Sequence, residues 1–347
     1  MVEMKRTMFR CLPVVLVVLW IGACADKPAD ERDEDMSRPA TFGFQTSLHQ
    51  TLIDEGKITY ERYCLGCHGA AGDGAGEAAV FLNPRPRNFV TARFKFSSTR
   101  SGQLPTDDDL RRTIKNGLRG SAMPPFNLLS DRKVDALVAY IKTFSPEWTE
   151  REPASPVPFV DDPYGEEGRA EAVARGEAVY HGFASCWSCH PAYVSEARIS
   201  DYIVQFGGQP REVFRPGLYE SDGKANDEGE MVYPPDFRRD YVRAGMTVRD
   251  IYRSVSAGIT GTAMPTWIDS IDVPGKSPGD PPVVSQKDLW AMSYYVQELL
   301  RQRPPLFDEG QVSVRNRPRP IYLHGAPTPA APSEAAPTSQ PDVDFEF

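Results

Sequence analysis

The chain has 347 residues, with 39 Lys+Arg against 48 Asp+Glu and a formal net charge of −9. That length is room for about two domains, and the acidic excess argues against a bulk nucleic-acid binder, which needs surplus cations to neutralise phosphates. Six cysteines are too few for a disulfide-built scaffold, and 32 prolines imply long non-globular stretches.

The cysteines are unevenly placed, at Cys11, Cys24, Cys64, Cys67, Cys186 and Cys189. Residues 1–23 read as a secretion signal. Lys5, Arg6 and Arg10 precede an apolar run from Cys11 to Ile21, too short for the roughly 20 residues that span a bilayer. The run ends in Ile21-Gly22-Ala23-Cys24, which resembles a bacterial lipoprotein box. The resemblance implies cleavage before Cys24, lipidation of Cys24, and a periplasmic protein anchored to a membrane. Residues 24–50 carry Asp26, Asp30, Glu31, Asp33, Glu34 and Asp35 without an amphipathic period, so a disordered acidic tether is expected there.

Two copies of one pattern follow. The first reads Gly56…Tyr60, then Cys64-Leu-Gly-Cys67-His68, and the second Gly176…Tyr180, then Cys186-Trp-Ser-Cys189-His190. Downstream, Asp109…Gly117-Leu-Arg-Gly120-Ser-Ala-Met123-Pro124 matches Asp250…Gly258-Ile-Thr-Gly261-Thr-Ala-Met264-Pro265 residue for residue in spacing. Each copy closes with apolar residues at helical intervals: Val134, Leu137, Val138 and Ile141, then Leu289, Met292, Val296 and Leu299. The copies are assigned to residues 51–145 and 169–302. Between them, residues 146–168 hold five prolines and read as a semi-rigid linker. Residues 303–347 read as a Pro-rich, disordered tail. From His68 to Met123 is 55 positions and from His190 to Met264 is 74, which places an insertion within about 193–230 of the second copy.

Cys-x-x-Cys-His is the haem c attachment motif: two thiols form thioethers with the haem vinyl groups, and the adjacent His is held over the iron. Zinc would require a second ligand pair, and a thioredoxin-like site would sit in a βαβ pattern, which is not visible. Two covalently bound haem c groups are therefore expected on Cys64, Cys67 and His68, and on Cys186, Cys189 and His190. A Met can supply the sixth ligand. Met36, Met123, Met231, Met246, Met264 and Met292 are the candidates after the signal. Met123 and Met264 are preferred because both sit in the shared Gly-x-x-Gly-[Ser/Thr]-Ala-Met-Pro loop, Met231 and Met246 are fallbacks, and Met292 is read as core. His49 and His324 are read as solvated, and His181 as a minor alternative ligand.

Both copies resemble class I, mitochondrial-type cytochrome c domains. The resemblance implies an all-α fold in which Gly56/Tyr60 and Gly176/Tyr180 mark the crossing of N- and C-terminal helices. It also implies that a Pro carbonyl accepts the proximal His N–H: Pro86 for His68, and Pro234 or Pro235 for His190. The implied function is electron transfer between respiratory redox partners, by a free carrier or by a subunit of an oxidoreductase, and not enzymatic turnover. The alternatives are a dihaem peroxidase-like or thiosulfate-oxidising enzyme. No cysteine remains as a thiolate ligand for the latter. Arg85, Arg87, Arg93, Lys95 and Arg100 form a basic stretch, read as a solvated loop in preference to a docking face.

Overall fold

The computed structural model describes residues 41–152, 154–272, 283–302, 307–308 and 311–312. Residues through Gln45 cluster separately from Thr46–Phe347. Cys11, Cys24, Met36, His324 and nearly all of the Pro-rich tail lie outside the described residues.

The fold is all-α. In order it comprises α1 (Thr41–Tyr63), the single turn α2 (Leu65–His68), α3 (Asp107–Asn116), α4 (Asp131–Lys142), the short α5 (Glu147–Glu150), α6 (Arg169–Ala178), α7 (Glu196–Gln205), α8 (Val248–Ala257) and α9 (Gln286–Arg301). Two antiparallel pairs of two-residue strands are present: β1 (Lys224–Ala225) with β2 (Met231–Val232), and β3 (Phe307–Asp308) with β4 (Gln311–Val312).

Helix α1 starts ten residues before the expected end of the tether. The acidic run stops at Asp35, and extending an existing helix costs no new nucleation. Helices α3 and α8 begin alike: Thr106 and Thr247 accept hydrogen bonds from the N–H of Asp109 and Asp250. They also end alike, at Gly117 (φ 62°) and Gly258 (φ 78°), where a side chain would be strained.

Each repeat has its own core, and the helical faces anticipated from the sequence line them. In the first, Tyr60, Phe89, Leu110 and Ile114 pack on Val134, Leu137, Val138 and Ile141 of α4. In the second, Tyr180, Phe237 and residues of α8 pack on Leu289, Met292, Val296 and Leu299 of α9. The crossings rest on glycine. A Cβ on Gly56 would lie 2.0 Å from the Ala136 carbonyl oxygen, and one on Gly176 would lie 2.0 Å from that of Ala291.

Three features depart from the sequence reading. The insertion carries helix α7, capped by Ser195, and builds a third small core from Trp187, Ala192, Ile199 and Leu218. Its Glu220–Glu230 stretch closes with the β1–β2 hairpin. The linker is pinned to both repeats: the Val157 N–H donates to the Ser98 carbonyl at 2.7 Å, and Phe159 packs edge-on against Tyr252 and Trp290. Three of the five cations of the basic stretch are paired, not merely solvated. Arg87 pairs with Glu228, Arg93 with Asp227 and Arg100 with Asp269, all across the contact between repeats.

Candidate haem-binding sites

Helix α1 delivers Cys64 at its C-terminal end, and the α2 turn presents Cys67 and His68. His68 N–H donates to the Cys64 carbonyl at 2.9 Å, and His190 N–H to that of Cys186 at 2.8 Å. All four thiols are free and half-buried. Burial pushes the Cys64 and Cys186 thiols up to about 12, aided by the neighbouring Cys67 and Cys189. These are not the low-pKa thiolates of a disulfide oxidoreductase. Among the described residues, no group of three or more His, Cys, Asp or Glu converges as a metal cage would.

The two imidazoles are held alike. His68 Nδ1 lies 3.0 Å from the Arg87 carbonyl oxygen, and His190 Nδ1 lies 3.0 Å from that of Pro235. A carbonyl only accepts, so Nδ1 carries the proton and Nε2 keeps a free lone pair. Burial lowers both imidazole pKa values, that of His190 to about 4, so each ring stays neutral near pH 7. Phe89 stacks on His68 at 4.5 Å and Phe237 on His190 at 4.8 Å, both at 17° between planes. The acceptor in the first repeat is Arg87, not Pro86. In both repeats it lies two positions before the stacked Phe, so that ring sets the register and the proline does not. Two half-buried thiols beside a neutral, oriented imidazole fit a covalently attached haem.

The loops carrying Met123 and Met264 are near copies. Leu118 N–H donates to the Met123 carbonyl at 3.0 Å and Ile259 N–H to that of Met264 at 3.2 Å. The Ser121 and Thr262 hydroxyls each accept from the Met N–H at 3.2 Å. Both methionines are half-buried. The other candidates have other surroundings. Met292 is core, 2% exposed. Met231 is 44% exposed, and the Met246 sulfur accepts from Arg119 at 3.4 Å. His49 is exposed, whereas His181 is fully buried with both ring nitrogens occupied. Its Nδ1 donates to the Glu177 carbonyl at 2.9 Å, and its Nε2 accepts the Tyr193 N–H at 3.1 Å. It is therefore a structural histidine.

Two kinds of contact escaped the sequence reading. Tyr60 Oη donates to the Gly69 carbonyl at 2.7 Å and Tyr180 Oη to that of Pro191 at 3.0 Å, in each case the residue after the motif His. Arg215, from the insertion, donates to the carbonyls of Trp187 at 2.7 Å and His190 at 3.1 Å, tying down the second Cys-x-x-Cys-His backbone. A lone Arg in an insertion carries no sequence signal for that role.

Residues 51–141 match the family model described as cytochrome c oxidase, cbb3-type, subunit III. The structure is also similar to a chain of a reducing HAO-like protein complex from Kuenenia stuttgartiensis, with a TM-score of 0.54 and 28% identity. The alignment covers 71% of this chain and 96% of that one. No curated protein matches the chain significantly. These likenesses support a c-type cytochrome that binds haem c covalently and transfers electrons.

Proposed function

We propose that the chain is a lipid-anchored dihaem electron carrier of the bacterial periplasm. One haem is attached through Cys64 and Cys67 with His68 and Met123 as axial ligands. The other is attached through Cys186 and Cys189 with His190 and Met264. When bound, the haem supplies the iron that accepts and releases one electron. Arg87 and Pro235 orient the two imidazoles, and the Gly117–Met123 and Gly258–Met264 loops present the thioethers, which favour the reduced state. The observation that carries this reading is the repetition of both ligand settings, down to the Nδ1–carbonyl bond and the folding of the methionine loop. Two closed sites suit outer-sphere transfer and leave no open position for peroxide.

The anchor is proposed on Cys24 and would hold the carrier beside membrane redox enzymes. Among the described residues, no helix is long and apolar enough to cross a membrane. A second reading, a fixed subunit of an oxidoreductase complex, is favoured by the likeness to a chain of a multi-protein complex.

The test is the oxidised visible spectrum with a haem count on the purified full chain. Two haems, each with a sulfur-to-iron band near the red edge, support the carrier. A high-spin haem or peroxide turnover overturns it. Co-purification with fixed stoichiometry from solubilised membranes would select the subunit reading.

A further inference from the structure

The repeats meet through their methionine loops, but the two loops are held differently. Between the paired glycines the first loop has Arg119, which is exposed; its guanidinium sits over the Tyr241 ring at 5.7 Å and reaches the Met246 sulfur. At the same position the second loop has Thr260, 4% exposed, whose Oγ1 accepts the Gly102 N–H at 3.1 Å. Just beyond Met264, the Thr266 Oγ1 accepts the Ser101 N–H at 3.1 Å and donates to the Ala257 carbonyl at 2.8 Å. Ser101 N–H also points at that carbonyl, at 2.9 Å, one of the last four of α8 that the helix leaves unpaired. The first loop has Pro125 where the second has Thr266, and Pro125 has no hydroxyl to take either role.

The donating segment is itself fixed. Ser98 donates through its N–H and its hydroxyl to the Asp109 carboxylate, both at 2.9 Å. Arg100 makes a two-pronged contact with Asp269 at 3.0 Å. Arg151 donates to the Gly102 carbonyl at 3.1 Å.

We propose that residues 98–103 of the first repeat are a positioning element of the second site, with Thr260 and Thr266 as the receivers that hold the Met264 loop. The second site is then incomplete without the first repeat, whereas among the described residues the Met123 loop has no backbone donor of this kind. This rests on reading Met264 as a ligand, and the experiment separates the two ideas.

Imidazole is titrated against the oxidised, haem-loaded full chain, where it binds iron only by displacing the methionine. Met123→Ala and Met264→Ala assign the binding phases. Thr260→Val keeps the side-chain shape and removes the acceptor. It should tighten the imidazole affinity of the Met264 phase about two- to tenfold, the equivalent of one net hydrogen bond, and leave the Met123 phase unchanged. Thr260→Ser should restore the original value. If Thr260→Val fails to take up haem, Arg100→Gln at the exposed end of the segment should move the same phase in the same direction by less. Equal shifts in both phases, or none in the Met264 phase, overturn the proposal. If Met264→Ala leaves both red-edge bands intact, the ligand reading itself has failed.

Discussion

The two repeats share their Cys-x-x-Cys-His settings and differ in what encloses them. Between the cysteines of the first motif stands Leu65, 37% exposed; at the same position in the second stands Trp187, 2% exposed. Trp187 is covered by the insertion, donates to the His181 carbonyl at 2.8 Å, and has its own carbonyl held by Arg215. What is common to both is therefore what the proposed chemistry demands: two thiols, an oriented imidazole and a glycine-hinged methionine loop. What differs is shielding, which the second repeat obtains from the inserted residues and from its neighbour. The first motif is the more open of the two.

The largest effect expected is loss of attachment. Cys64→Ala with Cys67→Ala, or Cys186→Ala with Cys189→Ala, should each reduce the chain's mass by one haem and unfold the repeat concerned, as read by mass spectrometry and circular dichroism. The two double variants should be equivalent in haem count but not in structure. The third core packs on Trp187, not on the thiols, so helix α7 should outlast the rest of its repeat in the second variant.

Next come the helix crossings, where the repeats should respond equally. Gly56→Ala and Gly176→Ala each place a methyl within 2.0 Å of a backbone carbonyl and 2.8 Å of a Tyr Cβ. Overpacking against backbone that cannot yield should cost about 3 kcal/mol or more, measured by thermal unfolding. A large cost in one repeat and a small one in the other would break the equivalence of the cores.

These crossings were legible through the resemblance to cytochrome c domains, and the Gly and Tyr that carry it lie only four residues apart, so the motif is local. The same holds for Cys-x-x-Cys-His and for the methionine loops, whose internal hydrogen bonds span only a few residues. The carbonyl partner of His68 was misplaced by one residue because Pro86 is the conspicuous residue, whereas the Phe89 ring sets the geometry. The brace from Ser101 and Gly102 to Thr266 and Thr260 links positions more than 150 apart, and Arg215 acts on a motif 25 residues upstream. Neither leaves a periodic or compositional trace. The linker's prolines oppose long regular structure, and among its described residues only the single turn α5 forms, but they did not reveal that Val157 would be buried and Phe159 would pack edge-on against Tyr252 and Trp290.

The acid response should separate the repeats. His181 is fully buried, and desolvation brings its pKa to about 4 despite the Glu177 carbonyl. Its counterpart in the first repeat is the exposed Glu61. A depressed histidine gives stability that is complete above its unfolded value near 6.5 and is lost as pH falls toward 4, since only the unfolded chain binds the proton. The second repeat should lose roughly 3 kcal/mol over that window. His181→Gln should flatten the loss, read as the pH dependence of unfolding followed by tryptophan fluorescence. Asp109 gives the first repeat a lower window. Burial alone would raise its pKa, but the Ser98 N–H, Arg112 and the Thr106 N–H together hold it below the usual carboxylate range. Its contribution is present above about pH 4 and is lost as pH falls through its folded value. Asp109→Asn should destabilise by about 2 kcal/mol, and more than Asp250→Asn, because Asp250 is less buried and, among the described residues, holds no Ser98 equivalent.

The smallest effects expected are at the ion pairs joining the repeats. Arg93 and Asp227 are both more than half exposed, and Arg93→Gln should change stability by less than about 1 kcal/mol and vanish into the salt dependence. Glu228 should matter more, although it too is partly exposed. It faces Arg87, and burial followed by the charges of Arg87 and Arg243 already lowers the pKa of Lys95 beside it. Removing the carboxylate leaves three neighbouring cations with less compensation, so Glu228→Gln should exceed Arg93→Gln in unfolding cost and shrink as salt is raised. Because the Arg87 carbonyl orients His68, the same variant should also shift the midpoint potential of the first haem, while Arg93→Gln should not. A shift confined to the second haem would mean that the hairpin acts through the bond from Asp227 N–H to the Gly261 carbonyl, on the Met264 loop.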